Sequence, residues 1–209
     1  FLFLLNIKKE KRFWKNSFEV GGRMNSSGKI IEVLDKNQLR KILENINIKN
    51  FDSVAIALVN SYINPEHEKL VARQLKDLGF DNIVLSHLSS SKLGYVDRAN
   101  TAVVDAYLLP LLHEYVASLK RALGRTTFSI MQSHGGLTDA ENFQGRNSIL
   151  SGPAGGVIGA VKTAKYRGFS RIICFDMGGT STDVAHYNDN YEYRSQSKIE
   201  GIAINSNSM

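Results

Sequence analysis

An α/β fold follows from three features of this 209-residue sequence. Strand-like and helix-like patterns alternate up to about residue 93. A long amphipathic pattern then fills Asp97–Leu123. Beyond it come a strand, a glycine loop, a helix, a second strand, a tight Gly-Gly turn and a return strand. Such alternation is how helices packed on a sheet read in sequence.

The elements justify themselves in order. Lys29–Leu34 predicts a short strand. Asp35 supplies a cap for a helix to about Asn47, with Leu39, Ile42, Leu43 and Ile46 on one face. Ser53–Asn60 is a nearly continuous apolar run, as expected of a strand covered on both faces. Asn64 and Pro65 open a helix with Glu66 and Glu68 in its first turn, and Gly79 stops it. Asn82–Ser86 is the next strand. In Asp97–Leu123 Val103, Val104, Tyr107, Leu108, Leu111, Leu112, Tyr115, Val116 and Leu119 repeat at helical spacing and are expected to face the core, and Pro110 should kink or split the helix. Strands at 126–131, 170–176 and 182–187 and a helix at 154–166 complete the chain. Two domains are expected: a small α/β unit over 1–95 and a second α/β domain over 96–209.

Composition bounds the function. The chain holds 26 Lys and Arg against 20 Asp and Glu. The excess is local: residues 1–50 hold eleven basic and five acidic side chains, and the rest balance. The Lys8–Lys15 run with Phe13 and Trp14 reads as a solvated edge, since no nucleic-acid motif accompanies it. The longest uninterrupted apolar runs fall far short of the ~18 residues a membrane span needs. Neither nucleic acid nor a membrane is expected as a partner. Cys174 is the only cysteine, which excludes an internal disulfide and fits a reducing, cytoplasmic compartment. The apolar Phe1–Ile7 lacks a cleavage site and does not read as a signal peptide. With no initiator Met, the sequence is expected to be part of a longer protein.

Eleven of the seventeen glycines lie in residues 135–209, and the chemistry-bearing motifs lie there too. In Phe175–Asp183 (FDMGGTSTD), a strand ends on Asp176, Gly178 and Gly179 make the turn, and Thr180, Ser181 and Thr182 begin the return. Paired glycines let backbone N–H groups converge on an oxyanion. The hydroxyls of Thr180 and Thr182 add donors. Asp176 and Asp183 suit Mg²⁺ or the positioning of a nucleophile. A plain hairpin would not need two acids and three hydroxyls around its turn, so phosphate binding is the favoured reading.

In Ser151–Gly156 (SGPAGG), Ser151 caps a helix whose N-terminus carries free N–H groups. Gly152, Gly155 and Gly156 there either admit a phosphate or allow tight packing; both readings stand. In Ser133–Leu137 (SHGGL), His134 is a base or substrate contact at a strand's carboxyl end, or a satisfied loop residue. The other histidines show no metal-ligand spacing.

A helix leading to a strand whose hairpin carries D-x-G-G-T resembles the nucleotide-binding halves of the actin, heat-shock chaperone and sugar kinase superfamily. More closely, FDMGGTSTDVA, LSGPAGGVIGA, MQSHGGL and NTAVVDAYLLP, in that context, resemble the hydantoinase A and 5-oxoprolinase family, nearest to its 5-oxoprolinase branch. Weaker resemblance extends upstream through SVAIALVNSYINPEHEKLVARQLKDLGF. The resemblance implies an actin-like ATPase half over 96–209 and an ATP- and Mg²⁺-dependent hydrolase opening 5-oxo-L-proline to L-glutamate. It implies catalytic roles for Asp176, Asp183 and His134, with Asp176 at the metal. Gly178, Gly179, Thr180, Thr182, Ser151, Gly152, Gly155 and Gly156 would hold the nucleotide. It further implies a small-molecule cyclic amide substrate and a second subunit or domain of hydantoinase B type, with a homo-oligomer left open. N-methylhydantoin hydrolysis, ketone carboxylation and a non-catalytic actin-like assembly role are the alternatives. The family's earlier D-x-G-G-T-F-T-D hairpin and its Gly-rich adenosine loop have no counterpart here. The isolated chain is therefore expected to be inactive.

Overall fold

The computed structural model describes residues 13–209. The Phe1–Ile7 stretch and the first part of the Lys8–Lys15 run lie outside the described residues. The chain divides into two compact units: residues up to Tyr107 with Lys198–Ile204, and Leu108–Ser197 with Asn205–Met209. The class is α/β, built from short two-stranded sheets and helices.

In the first unit, β1 (Arg23–Met24) and β2 (Ile30–Glu32) pair antiparallel. Asp35 caps α1 (Lys36–Glu44), its carboxylate accepting from the N–H groups of Asn37 and Gln38. The helix stops at Glu44, short of Asn47, and a single 3₁₀ turn follows at Ile48–Asn50. β3 (Val54–Ile56) is the only extended part of the apolar run, and it lies parallel to β4 (Ile83–Leu85). Parallel neighbours need a crossover. Here α2 (Glu66–Asp77) supplies it. Pro65 stands at the N-cap of α2, and Asn64 Oδ1 accepts the N–H of Glu66. At the other end Gly79, with φ +90°, lets Phe80 N–H reach back to Leu75 O and Gly79 N–H to Lys76 O. This is a Schellman stop, which requires the left-handed residue that glycine supplies. Leu34, Leu39, Leu43, Ile56, Val71, Leu75 and Phe80 form the core.

The carboxyl ends of β3 and β4 are polar. Glu68 is fully buried and accepts four hydrogen bonds: from Leu58 N–H, Ser86 Oγ, His87 N–H and His87 Nδ1. Ser86 and His87 open a short helix, α3 (Ser86–Ser89). Arg98 is 1% exposed; it donates from Nε to Ser86 Oγ and from Nη2 to Leu58 O, with its guanidinium over the Tyr62 ring. Ser86 thus relays one buried charge to the other.

α4 (Tyr95–Leu123) is one helix, not two, although Pro110 lies inside it. Proline has no N–H for the carbonyl four residues earlier. That carbonyl, Ala106 O, instead accepts from Ser53 Oγ at 2.6 Å. The helix buries Arg98, Thr101, Ala102, Val104, Asp105 and Ala106, while Tyr107, Leu111 and Tyr115 are more than half exposed. The expected core face is therefore corrected at Tyr107, Leu111 and Tyr115, while Val104 is buried. Apolar residues ring this helix, so spacing alone does not single out the buried side. By length and average hydropathy α4 would also cross a bilayer, a possibility hidden when only uninterrupted apolar runs are counted. Its first turns carry Arg98 and Asp105 buried in protein contacts.

In the second unit, β5 (Ser129–Met131) and β6 (Leu137–Asp139) form a hairpin around the glycine loop. A short α5 (Gly145–Ser148) leads to α6 (Ser151–Tyr166), which begins three residues earlier than expected. β7 (Arg171–Met177) and β8 (Thr182–Asn188) follow as a seven-residue antiparallel hairpin. The β7 strand is not buried on both faces. Ile173, Phe175 and Met177 are each more than 60% exposed, because a helix covers only the other face among the described residues. Lys165 near the end of α6 sits 5.0 Å over the Tyr187 ring, and its hydrogen bond to Tyr187 raises the lysine pKa. Near the end of the chain β9 (Ser197–Ile199) and β10 (Ile202–Ile204) pair.

Candidate functional site

The β7–β8 register places Asp176 directly opposite Asp183. Residues opposed in an antiparallel pair share one face of the sheet. That face is toward α6: a Cβ built on Gly156 would lie 3.8 Å from Asp176 Oδ2. Two like charges facing each other cost about 0.2–1 kcal/mol relative to a neutral pair. A site that binds a cation recovers that cost.

Between α6 and the hairpin lies a cleft of about 260 Å³, lined by Ala154, Gly156 and Val157 on one side and Cys174, Asp176 and Asp183 on the other. Ligand pockets for whole small molecules run to about 300–1,000 Å³. At this size the cleft is smaller than a pocket that encloses a whole small molecule. Met209 also lines it.

The hairpin turn closes with Gly178 N–H donating to Ser181 O at 2.9 Å. That N–H is thereby used within the turn, and Gly179 and Thr180 form its tip. Neither glycine has positive φ. Their value is space: a Cβ on Gly179 would meet nothing within 4 Å, and one on Gly178 only Ser181 O at 3.5 Å. Thr182 starts the return strand, opposite Met177.

Ser151 does not cap α6. Leu150 occupies the N-cap position without a side-chain cap, and Ser151 Oγ donates backward to Ser148 O. Gly152 is open, and Gly155 faces Met131 at an ordinary 3.7 Å. The glycine-rich first turns are thus not forced by crowding.

His134 lies on the β5–β6 loop and is not among the residues lining the cleft. Its Nδ1 accepts Gly136 N–H at 3.2 Å. In the neutral ring that leaves the proton on Nε2, so the free edge of His134 is a donor rather than a base. Among the described residues, no three His, Cys, Asp or Glu side chains gather as a metal site. The structure thus joins Asp176, Asp183 and Gly156 in one cleft. It sets Gly178, Gly179, Thr180 and Thr182 on the adjoining turn and return strand, Ser151, Gly152 and Gly155 on the facing helix, and His134 apart. Cys174 is half-buried in the cleft wall. Met209 carried no signal in the sequence, since a single apolar side chain outside any motif announces nothing.

Comparison with known proteins bears on both units. Residues 98–209 match the hydantoinase/oxoprolinase family model, and residues 2–79 match its N-terminal region. The 5-oxoprolinase of Saccharomyces cerevisiae is 39% identical over 87% of this chain, which spans 15% of that protein. The acetophenone carboxylase gamma subunit of Aromatoleum aromaticum is 31% identical over 78% of the chain and 24% of its own length. Among solved structures, the ATP-dependent caprolactamase of Pseudomonas jessenii superposes with a TM-score of 0.80 at 25% identity, covering 90% of this chain and 28% of that one. The family model alone covers more than half of the sequence, and the cleft lies inside the matched region. This chain belongs to the hydantoinase/oxoprolinase family.

Proposed function

We propose that this chain carries a phosphate-binding hairpin of an ATP-dependent cyclic-amide hydrolase that opens 5-oxo-L-proline to L-glutamate. The observation that carries the reading is the opposed Asp176–Asp183 pair in a small cleft beside a Gly-Gly turn. The 5-oxoprolinase relatives supply the substrate class.

In this reading Gly179, Thr180 and Thr182 contact phosphate oxygens, while Gly178 closes the turn that presents them. The α6 start, from Ser151 and Gly152 to Gly155 and Gly156, presents its N-terminal end to the same charge. Mg²⁺ is commonly held by one or two carboxylates plus substrate phosphates. Asp176 would be its protein ligand, and Asp183 would hold or orient the attacking water. His134, through Nε2–H, would donate to substrate. Bound ATP, its phosphate oxygens held by Thr180 and Thr182, would supply a phosphoryl group to the ring amide oxygen with ADP as the leaving group, opening the ring carbon to water, with the phosphate released as the ring C–N bond breaks. Opposed acids aimed at one cleft serve that charge-dense step by fixed electrostatics. Catalysis is proposed for the full-length protein with a hydantoinase B-type subunit or domain, in the cytoplasm. The isolated chain would turn over no ATP.

A second reading, ketone carboxylation, is favoured by the acetophenone carboxylase relative. ADP release by the full-length protein with its partner separates the two. Stimulation by 5-oxo-L-proline, lost in Asp176→Asn, supports the hydrolase. Stimulation by N-methylhydantoin alone moves the substrate. Stimulation only by a ketone with bicarbonate overturns the hydrolase reading. Asp176→Asn should also raise the melting temperature slightly in the absence of nucleotide, because it removes the like-charge pair.

A further inference from the structure

We propose that Ser133 is a positioning residue: it caps α6 from another segment of the chain and thereby fixes the wall of the cleft. The inference rests on the cleft being the nucleotide site.

Ser133 is 1% exposed, at the carboxyl end of β5. Its Oγ donates to Asn147 O at 2.8 Å and accepts Leu150 N–H at 3.1 Å. Its own N–H donates to Asn147 O at 2.7 Å, and its carbonyl accepts Met209 N–H at 3.1 Å. Every polar group of this one residue is engaged, and two of its bonds reach residues that line the cleft, Leu150 and Met209.

The bond to Leu150 matters most. Leu150 is the N-cap residue of α6, and its side chain can accept nothing. The first N–H groups of a helix have no partner within it, and a serine, threonine or aspartate beside them normally supplies one. Here a serine eighteen residues before the helix turns its oxygen on the amide that precedes the first turn. Leu150 is exposed enough to line the cleft, and it is followed by Pro153, Ala154 and Gly156, which line it too. Met209, held through its N–H by the same serine, closes another part of the wall. Ser133 therefore ties two parts of the lining to the β5 end. Gln132 Oε1 also accepts Asn147 Nδ2, but His134 spends Nδ1 on Gly136, two residues away, and neither reaches Leu150 or Met209.

A cap that merely stabilised the fold would leave ligand affinity alone. A cap that positions the wall would change it. The experiment uses the full-length protein with the variants Ser133→Ala, Ser133→Cys and Ser133→Thr. Cysteine keeps the size but accepts hydrogen bonds weakly, and threonine restores the hydroxyl. Asp35→Ala is the control, since it removes an ordinary cap from α1 in the first unit. Two readouts are taken: the MgATP dissociation constant and amide hydrogen exchange at Leu150–Gly152.

We expect Ser133→Ala and Ser133→Cys to weaken MgATP binding at least tenfold and to speed exchange at Leu150. Ser133→Thr should return affinity to within threefold of the parent, and Asp35→Ala should lower the melting temperature without changing affinity. Unchanged affinity in Ser133→Ala, or in Ser133→Cys should the alanine variant not fold, overturns the positioning role. If the parent protein itself binds no MgATP, the nucleotide reading falls instead. The cap is then judged on exchange alone: faster exchange at Leu150 upholds it, and unaltered exchange overturns it.

Discussion

Replacing Glu68 with alanine should remove most of the stability of the first unit. The carboxylate accepts from Leu58 N–H, His87 N–H, Ser86 Oγ and His87 Nδ1, and the side chain is fully buried. Two of these donors can adapt to its loss. Ser86 Oγ lies 3.3 Å from Ser61 Oγ and can turn toward it. His87 can move its proton to Nε2. The two backbone N–H groups cannot turn away, and each buried donor left unpaired costs about 1–3 kcal/mol. Arg98 keeps its bonds to Ser86 Oγ and Leu58 O but loses the negative charge that lies beyond Ser86, which adds to the cost. These contributions overlap, so the expected loss is about 4–6 kcal/mol, a large part of the ~5–15 kcal/mol typical of a domain. Urea unfolding followed by fluorescence of Trp14, the only tryptophan and a residue of the first unit, measures it. His87→Ala removes a single adaptable donor and should cost about 1 kcal/mol. A loss below about 1 kcal/mol for Glu68→Ala would refute the reasoning, since it would mean that the four bonds are replaced by water at no cost.

Two further predictions concern α4 and the pair Lys120–Glu141. Ser53→Ala should destabilise by about 1–3 kcal/mol by orphaning Ala106 O, but by much less in a Pro110→Ala background, where the helix recovers its own donor; denaturation of the four proteins of this cycle tests the coupling. Lys120 holds the Glu141 carboxyl below its ordinary pKa through a 2.9 Å hydrogen bond, with charge attraction second. A depressed folded pKa gives stability that is present above the ordinary carboxylate value and lost as pH falls through the folded value. The stability gap between the parent and Glu141→Gln should therefore be small and positive at neutral pH and vanish in acid. Both groups are largely exposed, so half-molar salt should erase it as well.

Local chemistry was readable in the sequence where a few adjacent residues decide it. Asp35, Asn64 with Pro65, and Gly79 each mark a helix end through bonds to neighbours within five positions. The β7–β8 hairpin and its Gly-Gly turn were legible for the same reason. What depends on distant partners was not. Glu68 and Arg98 look like surface residues of two helices, yet both are buried because Ser86 and Leu58 meet them from elsewhere. Pro110 looks like a break until Ser53, far earlier in the chain, answers its lost hydrogen bond. β6 is three residues long, too short for an alternating pattern to show. At the candidate site, Asp176 and Asp183 were visible as a pair flanking a turn, whereas the role of His134 depends on which ring nitrogen Gly136 occupies.

The half-buried Cys174 gives the cleft an experimental handle. It is the sole thiol of the sequence, and it stands in the same wall as Asp176 and Asp183. A single maleimide fluorophore would attach there with no other cysteine of this chain competing for it. A ligand that fills the cleft should slow thiol labelling, so the labelling rate becomes a clock for occupancy. It reads binding without turnover.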